Sequence, residues 1–274
     1  MSKGKKKVKK NNKRKININA LSKKKIKIAV YLFLRILVVV SLIIQGIHGN
    51  WNNVFLCVVT LVLFTLPDFV SKKFNIDLPT TLEILTYLFI YSAAILGEIQ
   101  NFYGLFIHWD TMLHTLNGFL SAAIGFSLVD ILNNNDRLHI DMTPSFVALV
   151  AFCFSMTIGV IWEFVEFGVD HYFIMDMQKD SIVTEIKTVK LSDDGNEKKV
   201  IGPIDKTIIS NKNGEELIIN GGYLDIGLVD TMKDLFVNFI GAVIFSILGY
   251  LYIKNREGYK LLEIFVPRLK SKIE

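Results

Sequence analysis

Apolar residues occur along this chain in long runs separated by short polar segments. Six runs are long enough to cross a bilayer, since a membrane-spanning helix needs about 20 apolar residues. The pattern predicts an all-α polytopic membrane bundle with six transmembrane helices. The runs cover roughly residues 26–48, 53–70, 80–97, 110–131, 145–166 and 234–253.

The segment between the fifth and sixth runs differs from the other connections in length and composition. Residues 181–221 are rich in β-branched side chains, and "DDG" (193–195) and "NKNG" (211–214) are typical of hairpin turns. We expect a small extracytoplasmic β-hairpin insertion that acts as a covering flap or docking module. The predicted domains are a basic tail (1–25), helices one to five (26–170), the insertion (171–229), helix six (230–253) and a second basic tail (254–274).

Composition agrees with the membrane assignment, and charge adds an orientation. The chain is 51% hydrophobic with net charge +5, yet residues 1–27 hold 13 Lys or Arg and no acid. Because basic residues mark the cytoplasmic side of short loops, both termini are predicted to be cytoplasmic in a multi-pass plasma-membrane protein. The loops 71–77 and 133–141, the latter carrying Arg137, fit the same side.

The basic tails suggest partners as well as topology. Next to a first membrane helix, such a tail contacts anionic lipid more readily than nucleic acid, so we expect the lipid bilayer as partner and no nucleic acid. The pattern says nothing about protein partners. Cys57 and Cys153 lie inside predicted spans, which implies packing rather than a disulfide framework.

Ionisable side chains within these spans are concentrated at helix ends predicted to lie on the outer side. Such residues are costly in a membrane and are candidates for function. Three helices each carry a polar stripe at helical spacing, and Glu98 ends a fourth. The stripes are Asp110, His114 and Asn117; Glu163, Glu166 and Asp170; and Asp230, Asp234 and Asn238.

Acids crowded at one depth of the membrane repel one another. A proton, a divalent metal or a cationic substrate would reduce that repulsion. Carboxylate oxygens with one imidazole suit Zn²⁺ or Mn²⁺, and carboxylates with an amide suit Mg²⁺. The predicted catalytic residues are Asp110, His114, Glu163, Glu166, Asp230 and Asp234. The predicted metal ligands are His114, Glu163, Glu166, Asp230, Asp234 and Asn238.

Two further charges, Arg35 and Glu83, lie toward the predicted cytoplasmic half of the bundle. We interpret both as structural. They either pair with each other, or Arg35 extends its guanidinium to the membrane interface.

The blocks "GEIQNFYGLFIHWDTMLHTLNGF", "WEFVEFGVD" and "DTMKDLFVNFIGA" resemble the YjdF-like family of membrane proteins. More distantly, the acid–x3–His and Asp–x3–Asp–x3–Asn–x2–Gly spacings are similar to the VanZ-like family. The resemblance covers roughly residues 80–250 and implies an integral membrane protein, with a role at the cell envelope on the VanZ-like side. The large outer insertion departs from a compact VanZ-like chain.

Three functions are compatible with this pattern. The first is metal-dependent or carboxylate chemistry on a lipid or lipid-linked envelope substrate at the outer leaflet. The second is a cation- or proton-coupled transporter, which would need matching polar groups on the cytoplasmic side. The third is a non-catalytic scaffold in which the polar residues hold helices together.

Overall fold

The computed structural model describes residues 2–73, 75–133, 141–173, 175–192 and 195–269, with only the backbone for 2–21, 23, 268 and 269. Arg137 of the predicted cytoplasmic loop and the two aspartates of the "DDG" turn lie outside the described residues. The side chains of the basic tail 1–25 lie mostly outside them as well.

Within this described part, six helical segments are long and apolar enough to cross a membrane, which confirms the six predicted spans. The first span, Lys24–Ile47, belongs to a longer helix α1 (Ser2–Ile47). The other helices are α2 (Trp51–Leu63), α3 (Leu66–Lys73), α4 (Thr80–Tyr91), a π-helix (Ser92–Ile99), α5 (Phe102–Leu105), α6 (Trp109–Asn133), α7 (Pro144–Tyr172) and α8 (Leu228–Lys254).

Prolines mark helix beginnings in this fold. Pro144 opens α7, where its missing N–H costs no helical hydrogen bond. Pro67 lies in the first turn of α3 for the same reason. The second span, Trp51–Lys73, therefore includes Pro67, and it ends three residues beyond the apolar run 53–70.

The chain divides into two compact units, residues 1–157 with 237–274, and residues 158–236. The first unit contains two apolar clusters. One joins α1, α2, α4 and the π-helix through Leu34, Val38, Cys57, Phe64, Tyr87, Ile90 and Ile95. The other joins α6, α7 and α8 to the C-terminal segment through Ala122, Ala123, Phe126, Val129, Val147, Ala151, Phe245, Tyr252, Leu262 and Val266.

The C-terminal segment packs into the second of these clusters. Its 3₁₀ turn (Lys260–Ile264) buries Leu262, and the Phe265 ring meets Phe119 edge-to-face with centroids 5.2 Å apart. Arg256 donates to Asp130 at 2.7 Å near the end of α6. Strand β8 (Arg268–Leu269) then pairs antiparallel with β1 (Ile76–Asp77). A stretch marked in the sequence mainly by its charge thus supplies core residues.

Small residues let α6 and α8 approach each other closely. A Cβ added to Gly118 would lie 2.1 Å from the Asn238 carbonyl oxygen, and one added to Gly241 would lie 2.0 Å from the Thr115 carbonyl oxygen. Both obstacles are backbone atoms that cannot turn away. Only glycine fits at these two positions, so the contact between the two helices is fixed.

Of the two alternatives given for Arg35 and Glu83, the pairing of these residues with each other is wrong. The buried Glu83 carboxylate instead accepts from Lys27 Nζ at 3.0 Å. The Arg35 guanidinium donates to the Tyr31 hydroxyl and lies 5.7 Å from the centre of that ring. One helical turn separates Arg35 from Tyr31, so this contact is local, whereas Lys27 reaches across to α4.

The second unit carries three separate antiparallel strand pairs. Strand β2 (Ser181–Val183) pairs with β7 (Tyr223–Asp225), and β3 (Ile186–Thr188) pairs with β4 (Lys199–Ile201). Strand β5 (Lys206–Ser210) pairs with β6 (Glu216–Asn220), with Ile208 opposite Ile218. The "NKNG" turn joins this last pair, and its Gly214 has φ +84°, which glycine adopts easily. The predicted hairpin is confirmed here.

Candidate metal centre

Three carboxylates converge inside the second unit, and we name them the carboxylate triad. Glu163 and Glu166 are three residues apart on α7 and so share one face, while Asp234 comes from α8. Their exposed fractions are only 5%, 6% and 4%. One oxygen from each lies within 4.8 Å of the others.

This spacing is close to what a shared metal ion needs. Zinc binds carboxylate oxygen at about 2.1 Å, so two tetrahedral ligand oxygens lie about 3.4 Å apart. Small side-chain rotations reach that distance from 4.8 Å. Three ionised carboxylates in a buried setting repel one another, and a proton or a cation relieves that repulsion.

Further contacts hold the ends of these helices in place. Trp162 Nε1 donates to Glu166 Oε1 at 2.8 Å, which orients that carboxylate. Asp230 has an oxygen within 4.8 Å of Asp234, and its Oδ2 accepts from the Lys179 backbone N–H at 2.7 Å. The loop after α7 is therefore attached directly to the first turn of α8.

Asp170 also has a structural role. Its two oxygens accept from the backbone N–H groups of Met177 and Gln178, each at 2.7 Å. Gln178 in turn donates from its side chain to Thr231 on α8. This predicted member of the acidic stripe closes the loop that follows α7.

The first unit contains the other predicted stripe, on α6. Asp110 and His114 lie one turn apart, with Asp110 Oδ1 3.4 Å from His114 Nε2, and His114 is 8% exposed. When one ring nitrogen of an imidazole faces a carboxylate, the other ring nitrogen points in a different direction, in which a metal can be bound. Metal-binding histidines commonly show this arrangement.

One turn along, an amide network joins three helices within the same unit. Asn117 donates to Asn238 Oδ1 at 3.1 Å, and Asn238 Nδ2 lies 3.5 Å from the Ser155 carbonyl. Ser155 Oγ donates to the Gly118 carbonyl at 2.7 Å. Sequence reasoning missed Ser155, although it shares a face of α7 with Glu166, eleven residues later.

The burial and chemistry of the predicted ligands suit a metal. Glu163, Glu166 and Asp234 are buried in the second unit, and their carboxylates could hold a divalent ion. His114 is buried in the first unit. Asp230 is half-buried. Ligation by Asn238 remains a prediction, since its Oδ1 already accepts from Asn117.

A family model described as "Predicted membrane protein (DUF2238)" matches residues 30–255, which is most of the chain. The chain belongs to the DUF2238 family. All the predicted ligands fall within the matched residues, so they lie in the region that defines this family. The DUF2238 assignment agrees with the six spans, and the family description specifies a membrane protein.

One relative of this DUF2238 chain is an "Uncharacterized protein" of Thermotoga maritima. It is 29% identical over 104 residues, which are 38% of this chain and 52% of the relative. The match thus spans about half the length of that relative. No solved structure matches the chain.

Proposed function

We propose that this DUF2238 protein is a metal-dependent membrane enzyme that acts on a lipid or lipid-linked envelope substrate at the outer leaflet. The observation that carries the proposal is the carboxylate triad, buried with one oxygen of each member within 4.8 Å of the others. The proposed ligands are His114, Glu163, Glu166 and Asp234, with Zn²⁺, Mn²⁺ or Mg²⁺ as the ion.

Contacts one helical turn from His114 support its role as a proposed metal ligand. Asn117 on α6 bonds Asn238 on α8, and both helices run in the same direction relative to the bilayer if the six spans alternate. His114 precedes Asn117 by three residues and Asp234 precedes Asn238 by four. Each therefore shares a helix face with the asparagine of this bond, one turn nearer the N-terminus of its own helix.

Glu163 and Glu166 lie near the C-terminal end of α7, which runs opposite to α6 and α8 if the six spans alternate. Ser155 anchors α7 against Gly118 of α6, and Glu166 lies three turns farther along the same face. Side chains tilt toward the N-terminus of their own helix. His114 therefore leans toward the N-terminal end of α6, and the glutamates lean toward the N-terminal end of α7.

Each residue then has a defined task in the proposed site. A bound divalent ion would polarise a phosphoryl or carbonyl oxygen, or activate water. Asp110 orients the His114 ring. Asp230, half-buried beside Asp234, is placed to exchange a proton with water as general acid or base.

The substrate class follows from what surrounds the triad in sequence. Phe164 and Phe167, between and beside the two glutamates, are 70% and 61% exposed on a membrane-spanning helix. A lipid can therefore reach this end of α7 from within the bilayer. The YjdF-like and VanZ-like resemblances, and the basic tails, which favour cytoplasmic termini in a plasma-membrane protein, support an envelope role.

The C-terminal segment supports an enzyme over a transporter. Leu262 and Val266 are buried against α6, α7 and α8 in the first unit. A carrier must open on both sides of the membrane. Opening at this end would have to break an apolar cluster.

Metal content tests the proposal directly. The full chain, purified in detergent after chelation and reloading, should retain about one Zn²⁺ or Mn²⁺ per chain by elemental analysis. Glu163→Gln, Glu166→Gln and Asp234→Asn should each lose it. Glu83→Gln is the matched control, because it removes an equally buried carboxylate that pairs with Lys27. Equal metal retention in all variants would refute the site.

Activity needs a second measurement with defined lipids. Metal-loaded protein in vesicles of phosphatidylglycerol and a polyprenyl diphosphate should convert one lipid to a product seen by mass spectrometry. Chelation and Glu163→Gln should both abolish the product. Metal binding without any product would leave the ion structural and reject the enzyme proposal.

A further inference from the structure

A second feature, separate from the proposed metal centre, is a groove between α7 and α8 in the first unit. It is an open groove with a volume of about 590 Å³, and almost all of its wall is apolar. Ala148 and Phe152 line it from α7, and Ser246 and Tyr250 line it from α8. The rings of Phe152 and Phe239 also line it and meet edge-to-face, with centroids 5.6 Å apart.

One end of the groove carries a fixed positive charge. Lys254 Nζ lies 4.8 Å from the centre of the Tyr250 ring, so the cation is held beside the groove. Lys254 ends a membrane-spanning helix and is exposed. A cation at this depth lies at the level of lipid headgroups.

A polar group lies one turn deeper. Ser246 is 8% exposed, and within the described residues its buried hydroxyl has no hydrogen-bond partner. It lies four residues, or about 6 Å, from Tyr250 along the helix axis. An ester oxygen of a glycerolipid lies at a comparable depth below its phosphate. Along α8 the groove thus has a cation at its end, then the buried Ser246 hydroxyl within its wall, and then apolar side chains.

We propose that this groove binds one anionic phospholipid in the leaflet at the C-terminal end of α8. Its phosphate lies against Lys254, and one acyl chain fills the groove as far as Phe152 and Phe239. An ester oxygen accepts from the Ser246 hydroxyl, which turns into the groove by rotation about its Cα–Cβ bond when the lipid binds. Charge complementarity selects an anionic headgroup, and the buried hydroxyl selects an ester linkage.

Native mass spectrometry of the full chain, released from nanodiscs that mix phosphatidylglycerol with phosphatidylcholine, tests this site. Wild type should retain phosphatidylglycerol in preference. Lys254→Ala should lower that retention about fivefold, the factor expected for one basic residue at the membrane surface. The matched control, Lys260→Ala, removes an exposed lysine outside the groove and should change nothing.

Two milder variants probe the groove itself. Ser246→Ala should weaken retention of diester but not of diether phosphatidylglycerol. Ala148→Leu should shorten the groove and weaken both, whereas Ile244→Phe, on another face of α8, should not. Equal retention of both headgroups, or wild-type retention by Ser246→Ala and Ala148→Leu, would overturn the proposal. A dimer that Ala148→Leu dissociates would also overturn it, because a second copy would then fill the groove.

Discussion

Glu83 and the carboxylate triad are both buried acids on membrane-spanning helices, yet their neighbours differ. Glu83 has a lysine of the same chain 3.0 Å away, whereas Glu163, Glu166 and Asp234 lie within 4.8 Å of one another. Burying an ion pair is tolerable because the charges compensate each other. Placing like charges together is costly, and a protein gains from it when a cation or proton visits the site. The contrast separates an acid paired with a lysine from three neighbouring acids that we propose bind a cation.

Removing the lysine tests the structural half of this contrast most strongly. Lys27→Ala should lower the free energy of unfolding by about 3 kcal/mol, because it leaves the Glu83 carboxylate buried without its cation. Chemical unfolding in detergent measures the change. Lys25→Ala, on an exposed position of the same helix, is the control. A Lys27→Met, Glu83→Leu double variant should recover most of the loss, and equal stability of the two alanine variants would contradict the assignment.

Metal addition tests the functional half. At a metal concentration one hundred times Kd, the wild-type chain should gain about 2.7 kcal/mol of stability. Glu163→Gln should gain almost nothing. Without metal, this variant should be at least as stable as wild type, since one repulsive charge has gone. Thermal unfolding with and without Zn²⁺ or Mn²⁺ gives both comparisons, and equal stabilisation of the variant would argue against the triad as ligand.

Removing the charge of Asp110 should have the next largest effect, on metal affinity. Asp110→Asn should weaken metal affinity about 10- to 100-fold, the usual effect of losing a carboxylate that orients a ligating histidine. Isothermal titration of the metal measures this. Asp68→Asn removes an exposed acid from the first turn of α3, as Asp110 lies in the first turn of α6, and should have no effect. A loss of metal affinity in both variants would mean that overall charge is responsible.

The smallest effect concerns an acid outside the spans. Partial desolvation, and then the negative charges of Asp176, Asp170 and Asp225, raise the pKa of Asp180. The folded state therefore holds this proton more tightly than the unfolded chain, whose Asp titrates near pH 3.9. Its stabilising contribution is complete below that pH and is lost as pH rises through the raised pKa. Melting temperatures from pH 3 upward should show a decline that Asp180→Asn lessens, and an unchanged profile would contradict this.

The spans were accessible to sequence reasoning because length and hydropathy determine them almost locally. The same holds for the "NKNG" hairpin and for Glu163 and Glu166, whose spacing alone puts them on one face. The approach of Asp234 to the two glutamates depends on the rotation of α8 about its axis. The pattern of hydrophobic residues in the sequence does not determine this rotation.

The errors have a similar cause. Arg35 was the nearest candidate partner for Glu83 in the first span, but Lys27, two turns earlier, makes the contact. The C-terminal segment was judged from its charge, so the burial of Leu262 and Val266 was not foreseen. Both depend on which helices are neighbours, and that information is tertiary.

The packing of the C-terminal segment also bears on biosynthesis. A ribosome completes α6, α7 and α8 well before it adds Leu262 and Val266, so the nascent bundle enters the membrane with this part of its core unfilled. Membrane proteases that survey new proteins would meet a loosely closed bundle during that interval. A chain released before residue 266 would keep all six spans and still be a substrate for degradation.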